Sequence, residues 1–260
     1  MATKRQPSSS GSALFRHLIE YDGKSRQKYL STPIFRVFNI QRFLELCAAK
    51  KNTLVRPHKW DDPFENFILK KALELPNPTA SGMTEGQENF YGQCWTSLKE
   101  SDAMWRIYSS DKSGVKVKTT IGRLIESLAA VSAPNDDYFI GNVSYLKDSV
   151  LRDNLQKVRW LMAEVTDIES MARSLLFKRV EFEHEREIRL IYFWRNATTD
   201  IFQYAVNPLQ LFEEVQFDPR ISPELFAVYQ HYLVSEIGFP RNKISKSTLY
   251  QLPTLKLQRQ

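Results

Sequence analysis

The chain has 260 residues, of which 42% are hydrophobic and 25% are charged, a composition that suits a globular protein with a sizeable core. No apolar run approaches the roughly 20 residues that cross a bilayer, so we expect no membrane span. Two cysteines without a CxxC or HExxH motif exclude a disulfide framework and predict no metal site. The polar N-terminus lacks the apolar stretch of a secretion signal, which predicts a disordered leader at residues 1–12 and a cytoplasmic protein.

Positive charge is concentrated at the two ends of the chain. Residues 1–30 have a net charge of +4 and residues 241–260 have +5, while the whole chain has only +6, so the segment between them is close to −3. Basic ends of this kind can hold a polyanion near the protein, and they equally serve solubility. The charge pattern therefore makes nucleic acid a candidate partner of the basic termini.

Hydrophobic periodicity predicts helices and strands that do not alternate strictly, which favours one α+β domain over residues 30–250, with a basic tail at 251–260. We expect a mixed, mainly antiparallel sheet with packed helices. The predicted strands lie near residues 34–38, 53–56, 90–97, 114–119, 138–145, 177–194, 201–206, 214–218 and 244–250. The predicted helices run from Asn39 to 51, Asp62 to 75, 103 to 108, 121 to 131, 151 to 176, and Ser222 to Gly238, with a loop over 76–88.

The segment VEFEHEREIRLIYF (180–193) is the most informative in the chain. Its strict alternation predicts a strand with an apolar face and an acidic face. Four stacked acids repel one another unless positive groups face them, and the alternative is a solvated sheet face that Arg189 neutralises. The apolar face would contain Val180, Phe182, His184, Ile188, Leu190 and Tyr192, and the acidic face would contain Glu181, Glu183, Glu185, Glu187 and Arg189.

A second candidate cluster lies in the aromatic-rich segment YGQCWTSLKESDAMWRIY (91–108). It contains the ring residues Trp95, Trp105 and Tyr108, with the hydroxyl groups of Thr96 and Ser97 between them. Amphipathic rings can line a cleft and stack on a flat ligand, and they are equally common in protein cores. The segment predicts either a ligand-binding wall or part of the core.

Four segments together resemble the bacterial family known as domain of unknown function 2971. They are TLVRPHKWDDPFEN, QCWTSLKESDAMWRIYSSDKSGVKV, VEFEHEREIRL and ISKSTL, so the resemblance extends over about residues 34–250. The elements DPFE and MW..Y....GV are the most specific parts of this pattern. The chain has Asp61 where the family often has Asn.

The order of polar residues is also similar to the arginine–serine–glutamate arrangement of ADP-ribosyltransferases. This resemblance implies an ADP-ribosyltransferase-like fold and NAD as the substrate, without a metal. It assigns Arg36 to the pyrophosphate and Glu187 to stabilising the cation that forms when the nicotinamide–ribose bond breaks. Glu185 would then activate the acceptor. Thr96 and Ser97 would hold the ribose and the carboxylate, and Trp105 or Tyr108 would stack on the nicotinamide. Trp95 stands where that superfamily usually has Ser.

Three functions remain open from the sequence. The first is an NAD-consuming ADP-ribosyltransferase or NAD glycohydrolase, such as a toxin or phage-defence effector, with a protein or nucleic-acid acceptor or water. The second is a non-catalytic regulatory or binding protein associated with nucleic acid. The third is a metal-dependent nuclease using the glutamates with Asp61 and Asp62, although helix capping explains Asp62 more simply.

Overall fold

The computed structural model describes residues 26–60, 62–66, 88–133, 136–153, 168–195 and 197–253. It is an α+β protein with a mainly antiparallel arrangement of strands, which confirms the predicted fold class. The chain divides into two compact units that are interleaved in sequence. Unit 1 contains the residues up to 34, 52–97 and 120–206, and unit 2 contains 35–51, 98–119 and 207 onward. Among the described helices, none is long and apolar enough to cross a membrane.

Strand β8 (Glu187–Phe193) lies between two antiparallel partners in unit 1, β3 (Phe90–Thr96) and β5 (Asp137–Asn142), and all seven residues of β8 are buried. One partner is β3, where Thr96 stands opposite Glu187 and Cys94 opposite Arg189. The other is β5. The elements that begin in unit 1 are α1 (Arg26–Leu30), β1 (Pro33–Phe38, which continues into unit 2), β3 (Phe90–Thr96), α4 (Ile121–Ala129), β5 (Asp137–Asn142), β6 (Ser144–Leu146), α5 (Ile168–Ser174), β7 (Phe177–Arg179), β8 (Glu187–Phe193) and β9 (Ile201–Ala205).

The core of unit 1 is formed where the sheet packs against α5 and the turn that follows it. The buried side chains in this cluster are Phe90, Phe139, Leu151, Met171, Ala172, Leu175, Leu176, Ile191 and Phe193. Trp60 packs against the same cluster and lies on Gly92 of β3, where an added Cβ would be 2.3 Å from Trp60 Cζ2. The glycine therefore gives the indole ring its place against the sheet.

Unit 2 is built around the strand β10, which pairs antiparallel with β4 and parallel with β11. Phe43 contacts Phe212 and Phe239 at ring-centroid distances of 6.1 and 6.4 Å, and these rings are fully buried. The elements that begin in unit 2 are α2 (Ile40–Ala49), β2 (Lys51–Val55, which continues into unit 1), α3 (Asp102–Tyr108), β4 (Val115–Thr120), α6 (Pro208–Leu211), β10 (Glu214–Phe217), α7 (Pro223–Tyr232) and β11 (Ile244–Lys246).

Two predicted helix caps are confirmed. The Asn39 side chain accepts a hydrogen bond from the Gln41 amide at the start of α2, and Ser222 accepts one from Leu225 at the start of α7. α7 continues into a π-helix over Leu233–Ile237, which ends at Gly238 with φ of 90°. A glycine adopts this left-handed conformation without steric cost.

The predicted continuous strand over 177–194 is wrong. Strand β7 ends at Arg179, a 3-10 helix occupies Val180–Glu185, and β8 begins at Glu187. Arg186 between them has φ of 46°, a left-handed conformation that no strand residue adopts. The alternating acids therefore do not form one row, and His184 is exposed instead of facing the core.

Several predictions lie partly or wholly outside the described residues. The helix predicted to start at Asp62 begins as a 3-10 turn over Pro63–Asn66, and its remainder lies outside the description. Four other predicted segments also lie outside the described residues: the leader at 1–12, most of the loop at 76–88, residues 154–167 of the long helix, and most of the basic tail. The domain bounds 30–250 stay a prediction.

Candidate functional site

Five charged side chains meet in the interior of unit 1, and we call them the ion cluster: Glu65, Lys178, Glu185, Glu187 and Arg189. Each residue is at most 7% exposed. Lys178 Nζ lies 2.6 Å from Glu185 Oε2, 2.6 Å from Glu187 Oε1 and 2.9 Å from Glu65 Oε1. Arg189 Nη2 lies 2.6 Å from Glu65 Oε1, and its Nε donates to Glu187 Oε2 at 2.7 Å. Both cations therefore bridge two or more carboxylates.

The end of β3 and the bend at Arg186 bring Glu185 and Glu187 into the cluster. Glu187 and Arg189 are two residues apart on β8, so they share one face of the sheet. Glu185 reaches the same lysine from the 3-10 helix, which ends at Arg186 with its left-handed backbone. The Thr96 hydroxyl donates to the Glu185 carbonyl oxygen at 2.6 Å, and the Ser97 amide donates to the Arg186 carbonyl oxygen at 3.0 Å. These bonds fix the bend.

Glu65 enters the cluster from the DPFE segment. The Phe64 amide donates to Asp62 Oδ1 at 3.0 Å, and the Glu65 amide donates to the Asp62 carbonyl oxygen at 3.1 Å. Arg179 holds the segment from the other side, with its Nη2 3.2 Å from Asp62 Oδ1 and its guanidinium 4.4 Å from the centre of the Phe64 ring. The motif thus places a carboxylate against Lys178 and Arg189.

Aromatic rings and backbone groups enclose the cluster. The Arg189 guanidinium lies 4.6 Å from the centre of the Trp60 ring and donates from Nη1 to the Leu175 carbonyl oxygen at 2.7 Å. Lys178 Nζ lies 4.6 Å from the centre of the Phe182 ring. The Glu187 amide donates to the Tyr145 hydroxyl oxygen at 2.7 Å. Cation–π contacts of this kind stabilise desolvated cations.

The surroundings of Glu185 and Glu187 shift the pKa values of these two glutamates in opposite directions. Burial and the hydrogen bond to Glu187 raise the pKa of Glu185 to about 8. Burial alone would raise the pKa of Glu187 too, but Arg189, the hydrogen bond to Glu185 and Lys178 hold it well below its ordinary value. Likewise burial would lower the pKa of Lys178, and the carboxylates of Glu187 and Glu65 raise it instead. Two adjacent carboxyl groups of the cluster therefore have pKa values that are shifted in opposite directions.

The structure brings four of the seven residues predicted for the site together in unit 1: Thr96, Ser97, Glu185 and Glu187. The prediction that positive groups face the glutamates is confirmed for Glu185 and Glu187, because Lys178 contacts both. The hydroxyl groups of Thr96 and Ser97 are directed at the backbone carbonyl groups of residues 185 and 186, at 2.6 and 3.3 Å. Thr96 and Ser97 therefore lie at the bend around Arg186, between Glu185 and Glu187.

The other three residues predicted for the site belong to unit 2. Trp105 is buried, and its indole nitrogen donates to Glu100 Oε1 at 2.6 Å. Tyr108 is 41% exposed at the end of α3. The Arg36 guanidinium lies 4.9 Å from the centre of the Phe38 ring on β1.

The sequence does not reveal two members of the ion cluster, Glu65 and Lys178, or the neighbouring Tyr145. A lysine between Phe177 and the acidic segment was the available signal for Lys178, because a strand next to four acids needs a cation. Tyr145 has no local signal. Among the described residues, no group of three or more His, Cys, Asp and Glu side chains is arranged to hold a metal ion.

Comparisons with known proteins give one family and one structure. The family described as "Protein of unknown function (DUF2971)" matches residues 104–190, which confirms the family resemblance over that part of the chain. A solved structure, "Thermus sp. 2.9 DarT in complex with ADP-ribosylated ssDNA", is similar with a TM-score of 0.38 and 11% sequence identity, and the alignment covers 84% of this chain and 94% of that one. No curated protein matches the sequence.

Proposed function

We propose that this chain is an NAD-consuming enzyme of the ADP-ribosyltransferase type, in which Glu187 stabilises the developing cation and Glu185 is the general base. The observation that supports the proposal is the pair itself: two glutamates that share Lys178, with the pKa of Glu187 lowered and the pKa of Glu185 raised. Environments that push the pKa values of neighbouring carboxyl groups apart are typical of acid–base sites. A solvated sheet face would have left both groups near their ordinary pKa.

The reaction needs both carboxyl groups ionised: Glu187 while the nicotinamide–ribose bond breaks, and Glu185 when the acceptor gives up its proton. When the bond between nicotinamide and C1′ of the ribose breaks, its electron pair leaves with nicotinamide, and positive charge develops on the ribose. The Glu187 carboxylate stabilises that charge more in the transition state than in the ground state. The acceptor then forms a bond to C1′, and its proton passes to Glu185, which has to be ionised at that moment.

The remaining residues have supporting roles in this proposal. Thr96 and Ser97 hold the bend that carries the two carboxylates in place. Basic termini are suited to a nucleic-acid acceptor, and a protein acceptor or water would use the same two glutamates. Such an enzyme would act as a toxin or as an antiviral effector in the cytoplasm.

The test is release of nicotinamide from NAD by the purified full chain, alone and with protein, DNA or RNA added. Wild type should release nicotinamide, and Glu187→Gln should not. Glu183→Gln is the matched control, because Glu183 is an exposed carboxylate on the 3-10 helix that precedes β8 and its pair with Arg186 spans 3.6 Å. The proposal is overturned if wild type and Glu187→Gln release the same amount with every acceptor. Salt-sensitive nucleic-acid binding without NAD turnover would instead support the regulatory function.

A further inference from the structure

The ion cluster contains unequal numbers of acids and bases. Glu65, Glu185 and Glu187 would contribute three negative charges, while Lys178 and Arg189 contribute two positive charges. An uncompensated charge in the interior is expensive, and a carboxyl group in that position takes up a proton instead. One bound proton makes the cluster neutral.

The contacts indicate which carboxyl group holds the proton. Glu65 and Glu187 each contact both cations, at distances between 2.6 and 2.9 Å. Glu185 contacts Lys178, and among the ion pairs of the described residues it has no contact with Arg189. Its carboxyl group also hydrogen-bonds to Glu187. Glu185 has the fewest contacts with cations among the three carboxyl groups, so it is the one that keeps the proton.

The other polar groups near Glu185 do not change the charge balance of the ion cluster. The Tyr145 hydroxyl is neutral, its pKa is raised by burial, and it accepts the Glu187 amide hydrogen bond. Arg179 is directed to Asp62. Arg186 and Glu183 pair with each other at the surface. The three carboxylates therefore outnumber the two cations, and neutralising Glu65 would make the numbers equal while leaving Glu185 and Glu187 in place.

We propose that the ion cluster binds a single proton between Glu185 and Glu187, and that Glu65 is the positioning residue that keeps it there. If Glu65 were neutral, two acids would balance two bases, and Glu185 would ionise at lower pH. The consequence for catalysis rests on the proposed function: Glu185 can accept the acceptor's proton only when ionised, so Glu65 would set the pH at which transfer proceeds.

The experiment is a carbon-13 NMR titration of the full chain labelled at its glutamate carboxyl carbons, with the Glu185 signal assigned by its absence in Glu185→Gln. In wild type we expect this signal to titrate near the pKa of about 8. In Glu65→Gln it should move down by about one pKa unit or more. Glu65→Asp keeps the charge and should leave the signal closer to wild type, and Glu183→Gln should leave it unchanged.

Two results would overturn the inference. One is a wild-type Glu185 that titrates below about pH 5, near an ordinary glutamate. The other is a folded Glu65→Gln variant with an unchanged Glu185 signal. If Glu65→Gln does not fold, the wild-type titration still decides whether the proton is bound. NAD turnover is measured separately. If the protein is active, the pH dependence of transfer should move to lower pH in Glu65→Gln. If it is inactive, the proposed function is wrong, and the NMR titration alone tests whether Glu185 holds a proton.

Discussion

Lys178 and Glu187 form a buried ion pair of 2.6 Å, and each partner also contacts a second charged group of the ion cluster. Removal of one partner of such a pair leaves the other charge in the interior without compensation. The pair therefore links the stability of unit 1 to the state of its candidate site.

Replacing Lys178 with Met should destabilise the protein by about 3–5 kcal/mol, because three carboxyl groups would remain with one cation. The measurement is urea unfolding of both proteins at pH 7. The control is Arg42→Met, since Arg42 is an exposed residue whose pair with Glu45 spans 3.5 Å, and such surface pairs contribute less than about 1 kcal/mol. Equal effects of the two substitutions would contradict a buried ion cluster.

Glu187→Gln should lower the rate of nicotinamide release by a factor of about 100 to 1000, because the substitution removes the charge that stabilises the transition state. Glu185→Gln should spare the cleavage of NAD and impair transfer to an acceptor. Both variants are compared with wild type in the nicotinamide assay, and their unfolding free energies are recorded alongside. A rate loss that only follows loss of folded protein would argue against catalysis.

The stability of the wild type should fall as the pH rises from about 5 to 9. The folded-state pKa of Glu185, about 8, lies above the value of an unfolded glutamate, so the folded protein binds the proton more tightly. This contribution is complete below the unfolded pKa and is lost as the pH rises through the folded pKa. Glu185→Gln imitates the protonated group, so urea unfolding of this variant should show a smaller decline. A decline of the same size in both proteins would assign it to other groups.

Thr96→Val should destabilise the protein by about 1–3 kcal/mol. Valine matches threonine in shape but leaves the buried Glu185 carbonyl group without its 2.6 Å hydrogen bond. Ser97→Ala is the matched control, because the Ser97 hydroxyl is exposed and its bond to Arg186 is 3.3 Å long. We expect a change below about 1 kcal/mol for the control in urea unfolding.

Gly92→Ala should cost about 1–3 kcal/mol, because the new methyl group would force Trp60 away from β3. The displaced ring would also lose its place beside Arg189. Trp60→Leu in the Gly92→Ala background removes the clash, so the double variant should be less destabilised than the two single changes added together. Simple additivity in urea unfolding would contradict the contact.

Local signals explain what could be predicted from the sequence. Asn39 and Ser222 cap helices through bonds to residues two or three positions away, which a sequence pattern contains in full. The segment 180–185 has a strand pattern yet forms a 3-10 helix, because Glu185 is held by Lys178 and by Thr96, a residue 89 positions away. Contacts at that distance override local preference. Glu65 was missed for the same reason, since its partners lie more than 100 residues further along the chain.

The hydrogen bond between Glu65 and Arg189 joins residues that are 124 positions apart. A contact of such sequence separation closes a long loop of chain, so it forms late, after the local helices and turns. Interactions that are absent from the folding transition state affect mainly the unfolding rate. We therefore expect the long-range ion pairs of Glu65 to affect mainly how long the folded molecule persists, and to contribute little to how quickly it forms.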